Sequence, residues 1–328
     1  ACHAVRHAGS TDFRAPWSAH AWTILPNVWH DLTKRQAPRG EPWSTTLQDG
    51  HAGRVSLHGE LRREPGPTGR RCLVIVHGLG GSFHRPYCVI AAHAAQRAGW
   101  SCLRFGLRGT DRQGDDFYHG GLWADVHAAV SSEALADFEA LYVLGYSLGG
   151  HVTLRYAIEG PAARVRAVAA VCAPLDLSLS SQHIDAPGCY VYRRHVLSGL
   201  NEIYAAVAGQ RSVPTPLPNV LRAQSLRTWD SLTVVPRFGF ENVADYYGSM
   251  SVGPSLARLQ VPSLLVQSTF DPMVPPWTYE RYLTAPLPRL EVRRYPAGGH
   301  VAFPPVLDPG GRSAQLEALI LEWFQRWT

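Results

Sequence analysis

Residues Tyr142–His151 read YVLGYSLGGH: a short apolar run, then one serine held between two glycines, then the start of a helix-compatible stretch. The pattern G-x-S-x-G carries weight only when a strand precedes it and a helix follows. Both are expected here. Leu141–Leu144 reads as a strand, and Leu148–Ile158 holds helix formers up to the stop Gly160-Pro161. Small residues at 145 and 149 permit the strained turn that lifts a serine hydroxyl into the open. Ser147 is therefore the candidate nucleophile, and a hydroxyl needs a neighbouring base to act at neutral pH.

Outward from this turn the chain alternates. Cys72–Val76 (CLVIV) is a continuous apolar run of the kind buried on both faces of a parallel sheet, followed by a helix over Tyr87–Ala98 and a strand at Ser101–Phe105. A helical stretch is expected over Leu122–Ala140 and a strand at Val165–Cys172. The alternation resumes with a strand in Val261–Gln267, a helix near Trp277–Leu283, a strand at Leu290–Tyr295 and a closing helix over Ser313–Trp327. Strand signals at Trp43–Gln48 and Arg54–Arg62 flank an Asp49-Gly50 turn. The fold class is α/β with a mostly parallel sheet. Residues 43–175 and 252–328 form its core. Residues 176–251, with helical patches at His195–Val207 and Val220–Trp229, form an inserted helical cap. Residues 1–42 form an arm whose tryptophans dock it on the core.

Ligands of such sheets bind beyond the carboxyl ends of the strands. Asp271, in STFDPMVPP, and His300, in PAGGHVAF, each follow a later strand, in the order Ser…Asp…His. His300 is expected to take the serine proton, and Asp271 to fix its tautomer. Asp176, after the Val165–Cys172 strand, is the rival acid. Leu148 and Leu79, the latter in HGLGGS after CLVIV, supply the expected oxyanion N–H groups. Tyr146 and His151 are expected to touch substrate, His119 is a weaker candidate for the same role, and Asp115-Asp116 reads as a solvated loop.

Other classes are disfavoured. Hydrophobic residues make up 45% and charged residues 17%, which describes a globular chain. The net charge of +5 comes from scattered arginines without a stripe, so no nucleic-acid partner is expected. HGLGGS lacks both G-x-G-x-x-G and a P-loop lysine, so a bound nucleotide is not expected. None of the six cysteines forms C-x-x-C and no H-E-x-x-H occurs, so neither metal nor cofactor is expected. Cysteines in apolar runs suit a reducing compartment, and a cytoplasmic location is expected. No apolar stretch approaches a transmembrane length, and no signal segment is apparent.

HAWTILP (His20–Pro26), HGLGGSFHRPY (His77–Tyr87), the LRGTD…YHGG region (Leu107–Gly121), GYSLGG, SLRTWDSLTVVPRFGFENVADYYGSMS (Ser225–Ser251), FDPMVPP and GGHVAF together resemble the α/β-hydrolase superfamily, and within it the YheT-type branch. The resemblance covers nearly the whole chain. It implies a triad of Ser147, Asp271 and His300, an oxyanion turn after His77, and action on a small-molecule carboxylic ester with an apolar acyl chain. Acyl transfer to an alcohol, or cleavage of a lactone or phospholipid, would use the same residues. A non-catalytic binding protein on this fold would normally lose one of the three.

Overall fold

The computed structural model describes residues 13–33, 36–307 and 313–328. An N-terminal helix α1 (Trp17–Thr33) precedes the hairpin β1 (Glu41–Asp49) and β2 (Gly53–Arg62). There follow β3 (Arg71–Val76), α2 (Pro86–Arg97), β4 (Ser101–Phe105), α3 (Ala124–Val130), β5 (Ala140–Tyr146), α4 (Leu148–Glu159) and β6 (Val165–Val171). A helical insertion comes next: α5 (Leu177–Asp185), α6 (Tyr190–Gln210), α7 (Leu217–Val220), α8 (Leu226–Leu232), α9 (Val234–Phe238) and α10 (Val243–Met250). Then β7 (Ser263–Ser268), β8 (Leu290–Tyr295) and α11 (Leu316–Phe324) complete the core.

The eight strands form one sheet in the order β1-β2-β4-β3-β5-β6-β7-β8. Only the β1–β2 and β2–β4 pairs are antiparallel. The chain runs from β3 outward to β4 on one side and then to β5 on the other, so the order reverses beside β3 and opens a crevice at the carboxyl ends there. β3, β5 and β7 are buried along almost their whole length, because helices cover both faces. This explains their unbroken apolar runs.

Several expected elements differ. The helix expected over Leu122–Ala140 stops at Val130, where Ser132 turns its hydroxyl back to the Ala129 carbonyl (2.8 Å) and accepts from the Trp43 indole (3.3 Å). The helix expected near Trp277–Leu283 is two 3-10 turns, Pro276–Thr278 and Glu280–Tyr282. Pro275 and Pro276 lack the N–H groups a longer helix would use. The patch expected over Val220–Trp229 is split, because Ser225 caps α8 through Thr228 N (3.0 Å) and Asp185 takes the N–H of Leu226 (2.7 Å). The closing helix is confined to Leu316–Phe324, since Ser313–Ala314 pairs with Val306–Leu307. The arm is chiefly a helix, and Trp17 and Trp29 face solvent instead of the core.

Asp116 does not lie in a solvated loop. It is buried between Arg108 (3.4 Å) and Arg237 (3.0 Å), and Arg108 also binds Asp49 and Asp125. Every carboxylate of the cluster has a guanidinium partner, which is the condition for burying such a group. Among the described residues Cys72, Cys88, Cys102, Cys172 and Cys189 are free thiols, all buried. Cys2 lies outside the described residues.

Candidate active site

Ser147 sits between β5 and α4 with φ 53° and ψ −124°, a conformation that costs a non-glycine residue energy. The flanking glycines make the turn possible. A Cβ at Gly145 would collide with the Gly149 carbonyl, and one at Gly149 with the carbonyl of His77. Ser147 N donates to Val171 O (2.8 Å), and Ser147 O accepts the first outer turn of α4 from His151 N (3.1 Å). Among the described residues only Arg112, Ser147, Cys172 and Val301 are non-glycine residues with left-handed φ. The last three lie at the ends of β5 and β6 and directly after His300, so the strain is concentrated around this serine.

His300 reaches the serine from the loop after β8. Its Nε2 lies 2.8 Å from Ser147 Oγ, and its Nδ1 lies 2.9 Å and 3.1 Å from the two carboxylate oxygens of Asp271. A carboxylate can only accept, so Nδ1 carries the proton and Nε2 is free to accept from the serine hydroxyl. Asp271 is fully buried, which alone would raise its pKa. The adjacent His300 ring and the N–H groups of Met273 (2.8 Å) and Val274 (3.0 Å) outweigh that, holding the carboxyl below its ordinary value. The carboxylate therefore stays charged where the imidazole needs it.

Asp176 is also buried, yet it faces elsewhere. It caps α5 through Leu179 N (2.9 Å), accepts from Tyr282 Oη (2.7 Å) and pairs with Arg281. No contact joins it to His300.

The loop after β3 lies opposite. Gly78 N donates to Tyr87 Oη (3.0 Å) and Gly80 N to Tyr118 Oη (2.7 Å), which fixes the turn on both sides of Leu79. Leu79 N has no protein acceptor among the described residues. Leu148 opens α4, so its N–H has no intrahelical partner either. Leu79 and Leu148 both line a cavity of about 350 Å³ that also exposes Ser147 and His300. The cavity is walled by Leu177, Val196, Trp229, Tyr246 and other residues of the insertion. His119 lines it, and burial pushes that imidazole down to about 3, so it stays neutral.

Two expected contacts are not made. Tyr146 points below the sheet, where its ring packs on Tyr87 and its hydroxyl meets Glu317 (3.3 Å). Side chains alternate along a strand, so the residue before the turn faces away from the nucleophile. His151 is buried one turn into α4, with its ring nitrogens on the carbonyls of Pro174 (2.7 Å) and Met250 (3.0 Å). It ties α4 to the end of the insertion and does not reach the cavity.

Three supporting residues escaped the sequence reading. Thr23 of α1 accepts the His300 N–H (2.8 Å) and also lines the cavity. Cys172 Sγ accepts from Val301 N (3.5 Å) behind His300. Its thiol is driven well above its ordinary value by burial and by the Asp271 charge, so it remains protonated. Asp230 lies in the cavity wall and accepts from Tyr247 Oη (2.6 Å); burial pushes its pKa up to about 7. Thr23 stands in the HAWTILP phrase, but nothing local links it to a residue 277 positions away.

With Ser147 in a strained turn at the end of β5, Asp271 after β7, His300 after β8 and a crevice at the switch point, the architecture is that of an α/β-hydrolase. The chain belongs to that family, whose description, alpha/beta hydrolase fold, it matches over residues 72–305. It is 29% identical over 238 residues to YheT of Escherichia coli (strain K12), named as a candidate esterase, covering 70% of each chain. To medium-chain fatty acid ethyl ester synthase/esterase 2 of Saccharomyces cerevisiae it is 26% identical over 322 residues, covering 88% of this chain and 67% of the other. To human phospholipase ABHD3 it is 21% identical, covering 71% and 59%. Among solved structures, proline iminopeptidase of Mycobacterium smegmatis superposes with a TM-score of 0.52 at 20% identity, over 87% of this chain and 98% of that one. That likeness concerns the fold alone.

Proposed function

We propose that the protein cleaves carboxylic esters with apolar acyl chains through an acyl-serine intermediate. The observation that carries this reading is the unbroken chain Asp271–His300–Ser147 opening onto a largely apolar cavity. His300 Nε2 takes the Ser147 proton as Oγ attacks the ester carbonyl. The N–H groups of Leu79 and Leu148 meet the developing oxyanion. The imidazolium, held by Asp271, then returns its proton to the departing alcohol. Water repeats the sequence, freeing the acid and the serine. Helices α5–α10 serve as the cap over the acyl chain.

Each methylene buried under this cap contributes up to ~0.8 kcal/mol, or roughly fourfold in kcat/KM. We expect kcat/KM for p-nitrophenyl esters to rise from acetyl to butyryl or longer before falling as the cavity fills. A steady decline from acetate would instead mean that the cap crowds a small acyl site, and no turnover of any ester would remove the proposal. Acyl transfer is the second reading, favoured by the largely apolar wall and by the yeast relative's name, which includes ester synthase. Product analysis with added ethanol separates them: mainly free acid supports hydrolysis, mainly ethyl ester supports transfer.

A further inference from the structure

The seating of α1 is fixed by small residues. Ala19 and Thr23 are buried against the His300 loop, where Thr23 Oγ1 accepts from His300 N (2.8 Å) and donates to Ala19 O (2.8 Å). Gly299 is required there, since a Cβ on it would collide with Ala19 O and Thr23. His20 stacks on Tyr192 and meets its hydroxyl at 2.6 Å. With that face turned inward, the large apolar side chains face out, the reverse of an ordinary surface helix. Trp17 is 89% exposed, Trp29 69% and Leu25 60%. At the start of α6, Tyr190 and Val191 are likewise exposed.

Among the described residues, eight of the eleven exposed large hydrophobics belong to these two segments, which places them in one region and not scattered singly. The region is continuous with the cavity: Ile24 and Val28 of α1 and Val191 of α6 line it together with Ser147. Basic residues outnumber acidic ones nearby. Between Trp17 and Thr33 the only charged residue is Asp31, whereas Arg14 precedes α1, and Arg193 and the exposed Arg194 follow Val191. A symmetric pairing of two copies through this face would set these arginines against their counterparts. An anionic lipid surface complements both the tryptophans, which favour the boundary between lipid and water, and the arginines beside them.

We propose that α1 and the first turn of α6 form a collar that docks the cavity mouth on an anionic lipid surface. The collar would lie on the surface, and no helix among the described residues is long and apolar enough to cross a membrane. The collar gives an apolar ester a route into the cavity without crossing water. That consequence rests on the esterase reading, but the docking does not.

The test is flotation of the full chain with phosphatidylcholine vesicles, with and without phosphatidylglycerol. The wild type should float, more so with phosphatidylglycerol and less at high salt. Combined Trp17→Gln, Leu25→Gln and Trp29→Gln, none of which lines the cavity, should lower the bound fraction ~10-fold or more. The same variant should keep kcat/KM for dissolved p-nitrophenyl butyrate within about twofold, because exposed substitutions scarcely alter the fold. Arg14→Gln with Arg194→Gln should remove most of the phosphatidylglycerol preference. Wild type that fails to float overturns the collar, as does a variant that floats equally well. A wild-type dimer that the three glutamines convert to monomer also overturns it, showing a second copy on this face. Flotation without ester turnover would keep the collar and remove the esterase, and the converse would do the opposite.

Discussion

The loops after β6 and β7 leave neighbouring strands at the same edge of the sheet, and each presents a buried carboxylate near its start. Asp271 receives two backbone N–H groups on one oxygen and turns the pair of oxygens toward the His300 ring. Asp176 spends its acceptors on the first turn of α5, on Tyr282 and on Arg281. Burial is common to both, so burial does not distinguish them. The donors within reach do. The oxygens of Asp176 are engaged by a helix N-terminus, a phenol and a neighbouring cation, whereas both oxygens of Asp271 lie within hydrogen-bond distance of the His300 ring.

Removing what Asp271 serves should have the largest effect. Ser147→Ala and His300→Ala should each lower kcat/KM by roughly 10⁴–10⁶-fold, and the double variant should lose little more, because the two act as one unit. An additive further loss, measured on one ester, would separate them. Asp271→Asn comes next. The amide supports the wrong tautomer, and kcat should fall by about 10⁴-fold with the fold intact by circular dichroism.

Asp176→Asn should leave kcat/KM within about tenfold and lower stability by about 1 kcal/mol, read as a small drop in Tm, since one hydrogen-bonded acceptor is lost and the exposed Arg281 partner counts for little. Asp230 gives the smallest effect and a different kind. Its carboxyl, raised to about 7 by burial, binds a proton more tightly folded than unfolded. Its contribution to stability is therefore present below the ordinary aspartate range and is lost as pH rises through about 7. Asp230→Asn should accordingly gain stability relative to wild type between pH 4 and pH 8. A stability difference that is flat across that range in paired thermal melts would show that the carboxyl is not raised.

The core strands are legible because a buried parallel strand needs an unbroken apolar run, and CLVIV and YVLGY are such runs. The nucleophile turn is legible because the crowding at Gly145 and Gly149 restricts what can stand there. The short helices resisted reading where a side chain or proline competes with the backbone, as at Ser132 and Pro276. Tyr146 and His151 were misread because proximity in sequence to Ser147 is not proximity to the cavity: strand alternation sends one below the sheet, and helix periodicity sends the other toward Pro174. Thr23 bonds His300 across 277 residues of chain and Cys172 bonds Val301 across 129, contacts that only the fold creates.

On the proposed mechanism Ser147 is activated through Asp271, after β7, and not through Asp176, after β6. The most direct test is the second-order rate of labelling by a fluorophosphonate, mapped by peptide mass to its site, in wild type, Asp176→Asn and Asp271→Asn. An adduct on Ser147 is expected in the wild type, forming at close to that rate in Asp176→Asn and more slowly by orders of magnitude in Asp271→Asn. An adduct on another residue, or slow labelling of Asp176→Asn beside a wild-type rate in Asp271→Asn, would contradict this mechanism.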